Sequence, residues 1–336
     1  MKVLALTHRT PFPPDKGDKI RTHHLLTRLA CKAEVHLVAF AEPPSDVEHA
    51  ARLAARFASV ELLPLSMRVQ KLRALPHLLT ATPMTLPVFH RNAMREAVAR
   101  IVARVRPDVV VAESTSMAPY ALAHPALPLV MDFVDVDSAK WRAYADEAPL
   151  PMRAVYAREA WTLARYERHV AHHARVSLVT ADRERALLQA IAPGCDVRTL
   201  ANGVDVDYFA PRTSLPEGPS VVFFGAMDYE ANVEAAVFLV REVLPRLRAR
   251  HPSLRVTLAG SKPTPAVRAL AEVPGVTVTG YVADIRPHVQ GASVCVIPLR
   301  VARGVQNKVL EAMAMGVPVV ASPAAGLYEV IGPLST

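Results

Sequence analysis

The sequence has few cysteines, few aromatic residues and no long apolar run. Three cysteines (Cys31, Cys195 and Cys295) are odd in number and widely separated, so no metal site or disulfide framework links them and we expect reduced packing residues. No apolar run approaches the roughly 20 residues that span a bilayer, and the apolar stretch after Met1 is too short for a secretory signal. These absences predict an intracellular protein. The sequence also lacks a serine–histidine–aspartate order, a glycosidase-type carboxylate pair and a zinc motif.

Acidic residues are the minority: 39 Lys and Arg against 31 Asp and Glu give a net charge of +8. The excess is concentrated between Met67 and Pro107, where eight basic residues accompany one acid, Glu96. Nucleic-acid binders interleave aromatic residues with their basic groups, and the only aromatic residue here is Phe89. We therefore expect an anionic membrane surface or a phosphorylated acceptor as partner, and no nucleic acid. A solvated basic helix face is the alternative.

Short apolar runs alternate with helical patterns along the whole chain, which predicts parallel sheets covered by helices, an α/β fold. The first series of strands covers 3–7, 35–40, 59–63, 108–112, 127–133 and 176–180, with one long helical segment over 138–175. A second series covers 220–224, 255–259, 276–279, 293–298 and 318–321. The proline-rich stretch from Asn202 to Ser220 separates them. We predict two Rossmann-like domains, 1–200 and 201–336, that face one another across a cleft, with the second incomplete at its end.

The most informative segment is Arg303-Gly-Val-Gln-Asn-Lys-Val-Leu-Glu311, followed by Ala-Met-Ala-Met-Gly316 and Val-Pro318. Gly304 is predicted to open a helix and Gly316 to close it. The amides of Asn307, Lys308 and Val309 would then form a seat for a diphosphate, with Glu311 accepting hydrogen bonds from ribose hydroxyls. The pattern places Val309, Ala312 and Met313 on the buried face. The alternative is a capped helix with an exposed Lys308–Glu311 pair.

This segment resembles the hallmark of the family-4 retaining glycosyltransferases, in which two glutamates stand eight positions apart before Ala-Met-Ala, a glycine and Pro-Val-Val. Glu311 matches the second glutamate, which holds the nucleotide ribose, and Arg303 stands in place of the first. The resemblance implies the GT-B architecture, a UDP- or GDP-sugar donor, and no metal or other cofactor. Further donor-side residues follow from matching segments: Gly225 at a strand end, Lys262 near the phosphates, and Val282 in the loop that reads the base.

Motifs of the first half narrow the resemblance to transferases encoded beside exosortase (PEP-CTERM) exopolysaccharide systems. One motif enters a helix at Gly17, with Lys16, Lys19 and Arg21 placed to meet an anion. Another follows a strand at Asp132 and Asp135, with Val134 where many relatives carry a histidine. Glu113 follows a further strand. For these three acids, capping of strand ends is the alternative to an acceptor-side role. The segment Asn202-Gly203 is predicted to form a tight turn.

Together these features predict a glycosyltransferase that moves a sugar from a nucleotide-sugar donor to a lipid-linked glycan acceptor in exopolysaccharide synthesis. The assigned catalytic residues are Arg303, Lys308, Glu311 and Asp135. We expect a cytoplasmic protein, with attachment to the inner face of the plasma membrane through residues 67–107. The alternatives are a catalytically degenerate nucleotide-sugar-binding protein and a nucleotide-sugar epimerase.

Overall fold

The computed structural model describes residues 1–14, 17–300 and 306–327. The chain divides into two compact units, Met1–Ala201 (unit 1) and Asn202–Thr336 (unit 2). Each unit is built on a parallel sheet, one of seven strands and one of five. The α/β fold predicted from the alternating pattern is confirmed.

The sheet of unit 1 has the order β3-β2-β1-β4-β5-β6-β7, and every neighbouring pair is parallel. Its central strands are continuous apolar runs because both faces of a parallel sheet are covered by helices. The strands run outward from β1 in one direction (β2, β3) and from β4 in the other (β5 to β7). The carboxyl ends of β1 and β4 therefore form the topological switch point of the sheet, called the switch point below. The strands are β1 (Lys2–Thr7), β2 (Glu34–Ala41), β3 (Ser59–Pro64), β4 (Val109–Glu113), β5 (Leu129–Val134), β6 (Val176–Val179) and β7 (Val197–Thr199).

Helices cover both faces of this sheet and enclose two apolar cores, one on each side. The predicted long helix over 138–175 is wrong: Pro149 and Pro151 divide it into two, because proline donates no backbone hydrogen bond within a helix. The helices are α1 (Gly17–Ala30), α2 (Ala50–Ala54), α3 (Met67–Ala74), α4 (Thr85–Phe89), α5 (Asn92–Val105), α6 (Ala118–Leu122), α7 (Asp137–Glu147), α8 (Met152–His173) and α9 (Asp182–Ile191).

The sheet of unit 2 has the order β10-β9-β8-β11-β12, again all parallel, around a single apolar core. Its strands are β8 (Ser220–Phe224), β9 (Arg255–Ala259), β10 (Val276–Gly280), β11 (Val294–Ile297) and β12 (Val319–Ala321). Its helices are α10 (Glu230–Phe238), α11 (Leu244–Arg248), α12 (Pro265–Ala269), α13 (Arg286–Gln290) and α14 (Asn307–Ala314), with a π-helical turn at Leu239–Val243 joining α10 to α11.

Two packing expectations need correction. Cys31 is exposed, so only the half-buried Cys195 and the buried Cys295 pack against other residues. The buried side chains of α14 are those of Lys308, Val309 and Ala312, joined by Met315 just after the helix, whereas Met313 is 38% exposed. Because successive residues of a helix are about 100° apart around its axis, Met313 lies outside the face that these buried side chains form.

Among the residues that the structure describes, no helix has both the length and the apolar character needed to cross a bilayer.

Candidate active site

The first candidate site lies in unit 2, where α14 begins beside the end of β8. Lys308 is on the inner face of α14 and only 9% exposed. Its ammonium donates a hydrogen bond to Asn232 Oδ1 at 2.7 Å and lies 4.7 Å from the centroid of the Phe223 ring. Burial lowers the pKa of Lys308 from 10.5 to about 8. The alternative left open by the sequence, an exposed Lys308–Glu311 pair, is therefore wrong, because Lys308 is buried.

Glu311 follows Lys308 by three positions in the same helix and is half-buried. Burial raises the pKa of its carboxyl from 4.5 to about 7, although the positive charge of Lys308 acts in the opposite direction. Burial thus brings the pKa values of Lys308 and Glu311 close to neutral pH. Strongly shifted groups of this kind concentrate at functional sites.

Two glycines at the ends of neighbouring strands shape the space around Lys308. Gly225 follows β8 with φ +150°, and a Cβ there would lie 2.9 Å from Asn232 Nδ2 and 3.1 Å from Lys308 Nζ. Gly260 follows β9 with φ +148°, and a Cβ there would lie 1.8 Å from the carbonyl oxygen of Gly225. Both glycines have a positive φ that residues with a side chain rarely adopt. Gly260 is also required because the backbone of Gly225 fills the space of its Cβ, whereas a Cβ at Gly225 would meet only the side-chain ends of Asn232 and Lys308.

The start of α14 differs in part from the prediction. Gln306 stands at the cap position and provides no side-chain cap to the helix, which leaves the first turn suited to an anion. The amide of Val309 is already engaged, since it donates to the carbonyl of Gln306 at 2.9 Å. Asn202 Nδ2 donates to Asn307 Oδ1 at 3.2 Å and so orients the first residue of the helix. Of the three predicted amides, those of Asn307 and Lys308 remain candidates.

The other donor-side predictions fall in different surroundings. Lys262 has φ +54° in the loop after β9, and its side chain is 70% exposed with its ammonium 3.9 Å from Asp228. Val282 is half-buried just after β10. The predicted tight turn at Asn202-Gly203 is wrong: the chain makes no turn there, and the turn lies further on at 206–209, where Asp205 accepts hydrogen bonds from the amides of Asp207 and Tyr208. Arg303 and Gly304 lie outside the described residues.

The second candidate site lies in unit 1, at the carboxyl ends of β1 and β4. His8, directly after β1, contacts two carboxylates: its Nδ1 is 2.8 Å from Glu113 Oε2 and its Nε2 is 3.2 Å from Asp18 Oδ2. Burial acts to lower the pKa of His8, but the charges and hydrogen bonds of Glu113 and Asp18 raise it to about 10. The imidazole is therefore a permanent cation at neutral pH. Arg9 also pairs with Asp18, at 2.6 Å.

Glu113 has one oxygen that this network does not use. The residue is 6% exposed, and among the described residues its Oε1 finds no hydrogen-bond partner. A buried carboxylate oxygen without a donor is costly, which makes it a suitable acceptor for a ligand hydroxyl. The predicted alternative of simple strand-end capping does not account for this oxygen.

The end of β5 and the loop after it hold Asp132 and Asp135 in a constrained conformation. Val134 has φ +66°, which is unfavourable for a β-branched residue. Buried side chains fix the loop on every side: Asp132 Oδ1 accepts from the amide of Val134 at 3.0 Å, Glu184 from that of Val136 at 2.7 Å, and Glu167 from that of Ser138 at 3.0 Å. Asp135 Oδ1 accepts from the hydroxyl of Thr180 at 2.8 Å. Backbone strain held in this way is typical of functional loops.

The predicted anion-binding residues of the first motif are corrected by the structure. Lys19 is buried and pairs with Asp46 at 2.8 Å. Arg21 is buried and forks onto Asp132, with Nε 3.1 Å from Oδ2. Their charges are taken up by internal carboxylates, so neither presents an open cation. Gly17 is the first residue of α1, and Lys16 lies outside the described residues.

Sequence reasoning did not single out His8, Asp18 or Asn232. His8 and Glu113 are 105 positions apart, and only the order of strands in the sheet brings them together. A signal was available: both follow predicted strands directly, and such positions gather at a switch point once β1 and β4 are paired.

Comparisons with known proteins agree with this arrangement. Residues 218–334 match the family described as "Glycosyl transferases group 1". Glycogen synthase of Mycobacterium tuberculosis is 29% identical over 168 residues, which are 46% of this chain and 36% of the relative. The chain thus spans about a third of the length of the curated relative it matches. The matched family segment contains Lys308, Glu311, Gly225 and Gly260.

Solved structures share the fold over nearly the whole chain. Sucrose-phosphate synthase from Thermosynechococcus elongatus superposes with a TM-score of 0.69 at 19% identity, covering 99% of this chain and 84% of that one. HepE of Anabaena, solved in complex with UDP and glucose, superposes with a TM-score of 0.65 at 16% identity, covering 98% and 83%. The chain therefore has the GT-B fold.

Proposed function

We propose that this chain transfers a sugar from a nucleotide-sugar donor to a hydroxyl-bearing acceptor, with the donor held by unit 2. The observation that carries the proposal is the buried ammonium of Lys308 at the end of β8, with Glu311 one turn further along the same helix. A cation and a carboxylate at this spacing fit a diphosphate and its ribose. The UDP seen with HepE makes a uridine nucleotide the first donor to test.

Breaking the anomeric bond leaves a nucleotide diphosphate whose negative charge increases in the transition state. Lys308 and the amides of Asn307 and Lys308 are assigned to that charge, and one well-placed donor of this kind contributes roughly 3 kcal/mol. Asn232 holds the ammonium through its Oδ1 and thereby positions it. Glu311 in its ionised form accepts hydrogen bonds from the ribose hydroxyls. Lys262 and Val282 are assigned to the outer part of the donor site.

The acceptor is assigned to the switch point of unit 1. The unused oxygen of Glu113 accepts a hydrogen bond from an acceptor hydroxyl, and Asp135 in the constrained loop contacts a second one. Lys19 and Arg21 are positioning residues, because they hold Asp46 and Asp132. His8 holds the other oxygen of Glu113 in place through its Nδ1. A carboxylate-rich site of this kind favours a neutral sugar over a phosphorylated group at this position.

The remaining features of the proposal rest on the sequence resemblance. They are retention of anomeric configuration without a metal or other cofactor, membership of the family-4 transferases of exosortase systems, and a lipid-linked acceptor in exopolysaccharide synthesis. In α5, exposed Arg95, Arg100 and Arg104 oppose a buried apolar face, which supports attachment to the anionic inner face of the plasma membrane. Salt-sensitive co-sedimentation with anionic vesicles tests this attachment, and none at low salt would rule it out.

Thermal shift with UDP, GDP, ADP and their sugars tests the donor site, because a ligand of the native state raises the melting temperature. We expect UDP or GDP to stabilise the chain and Glu311→Gln to reduce the shift. Turnover of the matching nucleotide sugar with a lipid-linked acceptor then identifies the transferase. Binding without turnover would indicate a degenerate binding protein, and release of an altered nucleotide sugar without acceptor would indicate an epimerase.

A further inference from the structure

A cavity of about 340 Å³ lies in unit 1 between the loop after β1, helix α1 and helix α2. None of the donor or acceptor residues assigned above lines it. Its volume is at the lower end of the range for small-molecule sites, about 300 to 1,000 Å³. The lining residues are Phe12, His23, Arg52, Leu53, Ala55 and Arg56.

The cavity combines an apolar floor with cations at its rim. Phe12 packs between His49 and His23, with ring centroids 5.2 Å and 5.9 Å away. The guanidinium of Arg52 lies 5.5 Å from the centroid of the Phe12 ring, a cation–π distance that holds the side chain over the aromatic face. Leu53 is buried and completes the floor.

These cations are not neutralised by carboxylates. No acidic residue lines the cavity, and within residues 1–14, 17–300 and 306–327 neither Arg52 nor Arg56 takes part in an ion pair. The contrast with the switch point is clear, because Arg9 and Arg21 there are each matched to an acid. An uncompensated pair of guanidinium groups attracts an anion, and phosphate fits their planar forks especially well.

His23 is a second, independent indication that this cavity suits an anion. Its Nδ1 is buried and has no hydrogen-bond partner among the described residues. Burial lowers the pKa of His23 from 6.5, and the positive charges of His24 on α1 and Arg56 in the turn after α2 lower it further. A hydrogen bond to the Pro11 backbone acts in the opposite direction and raises the pKa. Arg52 adds a further positive charge beside the Phe12 ring, and His49 also packs against that ring. The imidazole therefore stands in a positive environment with an open nitrogen.

We propose that this cavity binds a phosphomonoester, with the phosphate between Arg52 and Arg56, a hydrogen bond to His23 Nδ1, and the organic part against Phe12 and Leu53. The site is separate from the proposed transfer reaction and does not depend on it. Water-soluble sugar phosphates and phosphorylated lipid headgroups share this chemistry. The experiment below distinguishes the two sources.

Histidine-selective NMR on the full chain provides the test, with His23 assigned from a His23→Gln variant. Millimolar glucose 6-phosphate should raise the pKa of His23, because a bound dianion favours the imidazolium form. A second arm replaces it with dihexanoyl phosphatidate, and a larger response there identifies the lipid headgroup as the source. Arg52→Gln/Arg56→Gln should weaken binding at least about tenfold, as expected for lost charge-assisted hydrogen bonds.

Arg153→Gln is the matched control, since Arg153 is also exposed but lies on α8, away from the cavity lining. It should leave the response of His23 unchanged. A His23 titration that neither ligand alters would overturn the proposal. So would a response of equal size in the double arginine variant, because the phosphate would then lie elsewhere.

Discussion

Replacing Lys308 by methionine separates the cost of burying its ammonium from its use in binding. Lys308→Met keeps a long side chain against Phe223 and removes the charge. The pKa of Lys308 falls from 10.5 to about 8 on folding, and at about 1.4 kcal/mol per unit this is a cost of about 3 kcal/mol at pH 7. The substitution relieves that cost.

The same substitution leaves Asn232 Oδ1 without its donor. Asn232 is 6% exposed, and a buried unpaired acceptor costs about 1–3 kcal/mol. The two contributions oppose each other, so we expect the free energy of unfolding of Lys308→Met to stay within about 2 kcal/mol of the parent. Urea denaturation measures this directly.

Nucleotide binding should respond very differently. A charge-assisted hydrogen bond to phosphate contributes about 1.5–3 kcal/mol, so the dissociation constant for UDP should rise about 10- to 150-fold in calorimetry. Arg246→Met, which removes a charge from the exposed side of α11, is the control and should bind UDP normally. An unchanged affinity in the Lys308→Met protein, with folding intact, would refute the assignment of Lys308 to the diphosphate.

Three further predictions follow from the same structure. Gly260→Ala should lower the free energy of unfolding in urea by more than about 3 kcal/mol, because of backbone strain and collision with Gly225. Gly203→Ala is the control and should change this free energy little, since the space at its Cβ is open. Equal effects of the two substitutions would contradict the steric argument. Glu113→Gln should lower the pKa of His8 well below about 10 in an NMR titration, and a value that stays there would show that Asp18 alone holds the proton. The affinity for UDP should rise with pH as Glu311 ionises near pH 7 and should fall again as Lys308 loses its proton near pH 8. In the Glu311→Gln protein the rise at lower pH should disappear. If that rise persists, Glu311 does not bind the ribose of UDP.

Most of the framework was predictable because buried parallel strands are unmistakable apolar runs. All eleven predicted strands are present within about two residues, the usual uncertainty of element ends. Strand β7 was missed because Val197–Thr199 is a three-residue strand at the edge of the sheet with only one buried side chain. The helix break at Pro149 and Pro151 carried a local signal that the prediction overlooked.

The sequence singles out some residues of the two candidate sites but does not predict their surroundings. The spacing of Lys308 and Glu311 places them near one another on α14, but it does not say that the lysine points inward. That depends on Asn232, 76 positions earlier, whose carbonyl oxygen compensates the buried ammonium. Likewise the basic residues Lys19 and Arg21 suggested an anion site, and only the folded chain shows the acids that neutralise them.

Three carboxylates hold the backbone around Val134. The left-handed conformation of Val134 costs roughly 1–3 kcal/mol, and its amide donates to the nearby Asp132. The amides of Val136 and Ser138 donate to Glu184 on α9 and Glu167 on α8. Burial also raises the pKa of Glu167 to about 7, so one of these restraints changes its ionisation in the physiological range. The part of the loop that follows Val134 thus depends on two distant helices, and substitutions in those helices would alter its shape without changing any residue of the loop itself.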